Sequence, residues 1–577
     1  MNSGRKGVPP QGRPAPTGSA STRITGTRID TDGHGYENDQ CESVLIRTPI
    51  VALLLIAALL LSACAGLRRI PTPTPAAAPV EPTRAAATPT DAASPAPTVM
   101  PSPTPLSPAA PPAPASWTDL TRFEQALRAS TQTDLTGAQP PLHYQLEIRL
   151  DLEQRRIEGR GWIRFTNTSP APLTEIPLRL YPNLGRADAV LRIVALTIAG
   201  VPAAPRLLAE NSAAVVSLPQ PLASQAALEL YLEFEALLPA EGGGNHSTFG
   251  FAGGVLALAQ FYPTVPRIGS AGWDLQSPPL FGDMTTADPG LYDVWITAPA
   301  AMTVVATGVT VQTSAAADGV KTWYIVGGPQ REFNLVGSSA FTVQSRRVGD
   351  VAINSYFDAD DAEGGAAVLE WASQAFDIYQ QAFSAYPYTE LDIVATPTDA
   401  GGVEYPGLVV IADRLYDQFD DVGSFFQIAV VHEVAHQWWY NLLGNDQVRE
   451  PWLDEAITQY ATVLFYEDRY GAEGRAGVLR SFNERWNRVK ATNDQPIGLP
   501  VASYEGRAYG AIVYGKGPLF LLALREQMGD AVFAQFLADF STAYRWRTAT
   551  ADDFLAAAEK ACACQLDGLF AEWVFPP

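Results

Sequence analysis

Residues 424–460 read SFFQIAVVHEVAHQWWYNLLGNDQVREPWLDEAITQY, and the rest of the chain is organised around this stretch. Apolar Phe425, Phe426, Ile428, Ala429 and Val430 lead in, and Gly444 stands just past the apolar run, where a helix stop is expected. The first half therefore predicts one buried or half-buried helix. Residues four apart on a helix share a face, so His432 and His436 can reach one metal ion. Glu433 lies beside the first histidine, so its carboxylate can reach a metal-held water rather than the metal. Pro451, a favoured first helical position, opens a second helix and places Glu455 near its start as a third, oxygen ligand. Two imidazoles and one carboxylate on zinc leave a fourth position open for water, the catalytic rather than the structural pattern. An HExxH can also be ordinary helix surface, but this chain has only five His in 577 residues, so a chance match is rare.

The run His432-Glu433-Val434-Ala435-His436-Gln437-Trp438-Trp439, followed after eighteen intervening residues by Glu455 within Trp452-Leu453-Asp454-Glu455-Ala456, resembles the aminopeptidase N and leukotriene hydrolase family of gluzincins. The likeness extends to Gly401-Gly402-Val403-Glu404-Tyr405 and Tyr514-Gly515-Lys516-Gly517, and covers roughly residues 140–577. It implies an α+β multidomain chain, with an N-terminal all-β domain followed by a thermolysin-like, mainly helical zinc peptidase domain. It also implies one Zn2+ per chain, Glu433 as general base and Tyr514 as a donor to the oxyanion. Peptides with a free N-terminus are the implied substrates, held at the α-amine by Glu404 and along the Gly401, Gly402 and Val403 backbone. The family motif reads Gly-Ala-Met-Glu-Asn where Val403 and Tyr405 stand here, so side-chain preference does not carry over. Gln260 can reach the pocket from the β-domain as a loop does in the family, although an exposed loop is the expected place for it. Other readings stay open: Glu404 as an edge-strand charge, Tyr514 as a core residue, and the whole as a zinc endopeptidase, an epoxide-opening hydrolase or a catalytically silent peptide-binding protein.

The formal charge of −22 argues against nucleic acid and anionic membrane surfaces as partners and says nothing of oligomeric state. Residues 1–63 are expected to be a pre-signal stretch and a signal peptide. The apolar run from Ile50 to Leu61 suits a signal core and is short for a bilayer span. Leu61-Ser62-Ala63-Cys64 resembles the bacterial lipobox, which implies lipidation at Cys64 and an exported, cell-envelope lipoprotein; a plain secretory signal is the alternative. The only Met before Met100 is Met1, which points to initiation nearer Val44 on a non-ATG codon. Residues 64–117, rich in Pro, Thr and Ala, favour extended polyproline II and predict a tether of on the order of 100 Å.

Within 118–346, Tyr144, Leu146, Ile148 and Leu150 alternate with polar residues, and Leu228, Leu230, Leu232 and Phe234 repeat the pattern, predicting half-buried strands. The expected catalytic domain, 347–577, opens with a hairpin at Gly349-Asp350, a helix over Gly364–Phe383, and strands over Leu391–Ala395 and Gly407–Ile411. An apolar run from Leu519 to Leu524 predicts a buried helix, and Phe533, Phe536 and Phe540 are expected core. Cys562 and Cys564 read as buried small apolar residues. Larger relatives continue into a helical domain, so a more open cleft is expected here.

Overall fold

The computed structural model describes residues 116–576, apart from 139, 187–189, 209–210, 270–271, 280, 284 and 420–421. The expectations for the signal, Cys64 and the Pro-rich tether lie outside the described residues. No helix among the described residues is long and apolar enough to cross a membrane.

Alternation builds the N-terminal β-region. Leu142–Asp151 sits inside an eight-stranded sheet, antiparallel to Arg156–Thr166 and parallel to Gly290–Pro299. Its Tyr144, Leu146, Ile148 and Leu150 are all buried, as a period of two requires. A second, four-stranded sheet pairs Val255–Leu258 with Leu335–Ser338, with Leu258 opposite Leu335. That register brings the chain leaving at Gln260 against the chain arriving from Glu332. No helix longer than six residues precedes Ala362 among the described residues, so the region is β-built as expected.

The catalytic region carries a five-stranded sheet in the order Phe341–Val348, Val351–Asp358, Glu390–Thr396, Leu408–Ala412, Gly402–Tyr405. The first two strands form the expected hairpin at Gly349-Asp350, and the expected domain junction at 346/347 falls inside the first of them. Gly402–Tyr405 is the edge strand. Helices Ala362–Ala382, Phe425–Ala435 and Trp452–Asn487 then pack on this sheet and on each other, and Gly517–Met528 covers the predicted apolar run. Phe533, Phe536 and Phe540 lie in the core as predicted. Cys562 and Cys564 do not behave as core residues. Both are half-buried and joined in a disulfide, because left-handed Ala563 (φ 51°) ends helix Ala551–Cys562 and brings their Cα atoms to 5.1 Å.

One side chain pins the β-region to the catalytic region. Arg331, 3% exposed, donates from Nε to the carbonyls of Tyr440 (2.6 Å) and Asn441 (3.0 Å). It also donates from Nη1 to Ala287 (2.8 Å) and from Nη2 to Arg547 (2.9 Å). A Cβ at Gly444 would lie 2.3 Å from the Arg331 guanidinium carbon, so this glycine serves close approach rather than stopping a helix. Arg331→Met strips the donor from four buried carbonyls and is expected to lower unfolding stability by about 3–5 kcal/mol in urea titration. A change below about 1 kcal/mol would mean that water replaces the guanidinium.

Candidate active site

The first site helix is capped by Ser424, whose side chain accepts from the Gln427 amide. The helix stops at the second histidine, well short of Gly444, because the next side chains are used sideways. Gln437 accepts from Gly407 N (2.8 Å) and donates to Tyr405 O (3.1 Å), and Trp438 Nε1 donates to Ser384 O (2.6 Å). Gln437 thereby straps the edge strand to the end of the metal helix. The second helix begins after Pro451 as predicted, and its Asp454 takes the Glu455 amide at 3.0 Å. Asp454 is itself held by Asn445 and Gln447, each at 2.9 Å.

These helices bring His432, His436 and Glu455 together. The two Nε2 atoms lie 3.1 Å apart, and Glu455 Oε2 lies 3.2 Å from His432 Nε2 and 3.5 Å from His436 Nε2. A four-coordinate ion with ligand bonds of about 2.0–2.1 Å sets its donors roughly 3.3 Å apart. His436 Nδ1 donates to Trp439 O at 2.8 Å, which leaves a bare lone pair on Nε2, and Thr458 Oγ1 stands 3.3 Å from the same Nδ1. Glu455 Oε2 is buried and takes no hydrogen bond within the protein. Three buried lone pairs aimed at one point repel one another unless a cation sits between them, so the residues fit a metal ion. Burial holds the His432 imidazole down to about 4, the neutral form that a ligand must have.

Around this trio stand the other predicted residues. Glu433 is buried, outside the trio, and pushed up to about 8 by burial and by the Glu455 charge. It lies against the edge strand so closely that a Cβ on Gly402 would fall 2.4 Å from Glu433 Cγ, which is why glycine stands there. Glu404 shares a cluster with Glu433 and His436, accepts from Gln447 Nε2 (3.1 Å), and is raised by burial and by Asp283. Val403 and Glu404 line one small cavity with Gln260, Glu332, Asp283 and Tyr440. Gln260 is therefore not on an exposed loop: it is 7% exposed and built into the cavity wall. Tyr514 sits on a π-helical turn, Ile512–Lys516, and its hydroxyl donates to Glu455 Oε1. Gly401 closes the strand end, its carbonyl accepting from Ala412 N at 3.0 Å.

Residues 367–573 match a family model described as the Peptidase family M1 domain. This chain carries a Peptidase family M1 domain. Aminopeptidase M1-B of Oryza sativa subsp. japonica is 26% identical over 231 residues, 38% of this chain and 26% of that protein. Human aminopeptidase B is 28% identical over 187 residues, 30% of this chain and 28% of that protein. The chain thus spans about a quarter of the length of the curated relatives it matches. The M1 zinc metallopeptidase from Deinococcus radiodurans shares the fold over 76% of this chain and 95% of its own, with a TM-score of 0.57 at 19% identity. An N-terminal β-rich domain followed by a helical M1 domain is the architecture of both, and the family implies zinc.

Several residues that shape the M1 site gave no signal in the sequence. Gln437 follows the second histidine, yet its role depends on a turn 30 residues upstream. Glu332 and Tyr440 meet across 108 residues, and nothing local marks either.

Proposed function

We propose that this chain is a zinc-dependent aminopeptidase that holds one zinc and removes N-terminal residues from peptides. One observation carries the amine specificity: the cavity beside the metal trio is lined by Glu404, Asp283 and Glu332, and no basic side chain lines it among the described residues. A buried carboxylate without a cation favours a ligand that brings one. Mutants of the Deinococcus radiodurans enzyme have been solved bound to a Tyr-ser-ala substrate and to L-arginine, which supports peptides and their amino-acid products as ligands here.

His432, His436 and Glu455 would hold the zinc, which when bound polarises a carbonyl and makes a water acidic near neutrality. Glu433 takes the proton from the attacking water and delivers it to the leaving amine. Glu404 and the Gln260 oxygen receive the substrate's α-ammonium. The edge strand Gly402–Tyr405 offers backbone groups to the extended peptide, which sets the scissile bond against Glu433. Tyr514 is poised to donate its phenol to the developing oxyanion, leaving Glu455 to do so. Tyr514→Phe is expected to lower kcat roughly 10²-fold with KM little changed. Zinc content separates this role from mere orientation of Glu455: a purely orienting Tyr514 would show as a 10–100-fold weaker metal affinity.

The test is cleavage of aminoacyl and N-acetylaminoacyl fluorogenic peptides by protein of known zinc content. Zinc-dependent release from free-amine substrates alone is the expected result, and zinc-independent or amine-indifferent cleavage would overturn it. For localisation, the lipobox supports a cell-envelope lipoprotein anchored at Cys64. Mass spectrometry should find a diacylated Cys64 as the first residue of the mature protein, and any other mature N-terminus ends that reading.

A further inference from the structure

The cavity that receives the amine is shaped by a contact the reaction itself does not use. Gln260 Nε2 donates to Glu332 Oε2 and, at 3.2 Å, to Thr285 Oγ1. Both amide hydrogens are thereby engaged. A carboxylate only accepts, so the nitrogen must face Glu332 and the Gln260 oxygen must face the other way. That oxygen accepts no hydrogen bond from the described residues, although its residue is more than nine-tenths buried in the cavity wall.

Glu332 is in turn held from the metal side. The Tyr440 hydroxyl donates to Glu332 Oε1, and Tyr440 stands four residues past His436. Its backbone has φ 123°, a left-handed value that favours glycine and that a tyrosine holds only under constraint. Two hydrogen bonds supply the constraint: Arg331 grips the Tyr440 carbonyl at 2.6 Å, and the Tyr440 amide donates to Leu443 O at 2.9 Å. Consecutive residues of the β-region thus hold one tyrosine at both ends, Arg331 by its backbone and Glu332 by its phenol.

We infer that Glu332, clamped by Tyr440, is a positioning residue that locks the Gln260 amide with its oxygen toward the substrate's α-ammonium. The inference rests on the aminopeptidase reading. Without the lock the amide can turn and present its NH2 to the ammonium, replacing an acceptor by a donor. The effect falls on recognition of the free amine rather than on the chemical step.

Glu332→Gln should raise KM for alanyl-aminomethylcoumarin about tenfold, the loss of one hydrogen bond to a charged group, while kcat moves less than about threefold. Calorimetric binding of L-alanine should weaken in parallel. The double variant Gln260→Glu/Glu332→Gln reverses the polarity of the pair. The amide introduced at position 332 then donates to a carboxylate at position 260, whose second oxygen faces the amine whatever its rotation. KM should return to within about threefold of the unmodified chain, a coupling that a merely structural role does not produce. An unmoved KM in Glu332→Gln, or a double variant no better than the single one, overturns the inference alone, provided the unmodified chain rejects N-acetylalanyl-aminomethylcoumarin. Equal cleavage of both substrates by the unmodified chain overturns the aminopeptidase reading and this inference with it.

Discussion

Glu433→Gln is expected to keep the metal and lose turnover by about 10³–10⁴-fold in kcat, the upper range for removal of a general base. The argument is geometric. The three converging donors are His432, His436 and Glu455, and Glu433 stands outside them, in the neighbouring cluster with Glu404 and His436. It lies on the same side as the edge strand that guides the peptide, pressed against Gly402. Glutamine has the same shape and fits under that glycine, so packing is unchanged. What it lacks is a basic oxygen: the amide cannot take the proton from water. Zinc content measured beside kcat decides the matter. A variant that loses its zinc would make Glu433 a ligand, and one that keeps a tenth or more of the activity would place the base elsewhere.

How much of this was legible follows from how local each signal is. The metal trio could be read because i and i+4 share a helix face and because Pro451 marks where the next helix opens. Both are rules of a few residues, and the structure brings the three side chains together. The strands around Leu146 were equally plain, since alternation is a property of neighbours. The end of the first site helix was not, because Gln437 trades a helical place for two hydrogen bonds to a turn 30 residues away, and no propensity encodes that. Gly444 was correctly singled out for the wrong reason: it makes room for Arg331 from another part of the chain. Gln260 looked like an exposed loop residue because its burial depends on Glu332, 72 residues later in sequence but brought alongside by the pairing of Leu258 with Leu335. The disulfide of Cys562 and Cys564 turned on one left-handed alanine, which composition does not reveal.

Glu404→Ala should convert a selective enzyme into an unselective and slow one. The carboxylate is 6% exposed and accepts from Gln447, and no basic group lines the cavity it faces among the described residues. Removing one partner of a buried ionic pair costs about 3–5 kcal/mol, so kcat/KM for free-amine substrates should fall roughly 10²–10³-fold. The loss should appear in both constants. KM rises because the ammonium has lost its anion, and kcat falls because a peptide without a fixed terminus presents its scissile bond out of register with Glu433. N-acetylated substrates make no use of that anion and collide with it, so their slow cleavage should change less than about threefold, or improve. The ratio of free-amine to blocked turnover is therefore the sensitive measure. If it stays at its original value in Glu404→Ala, the terminus is recognised by other groups, and Glu404 is an edge-strand charge that discourages unwanted strand pairing.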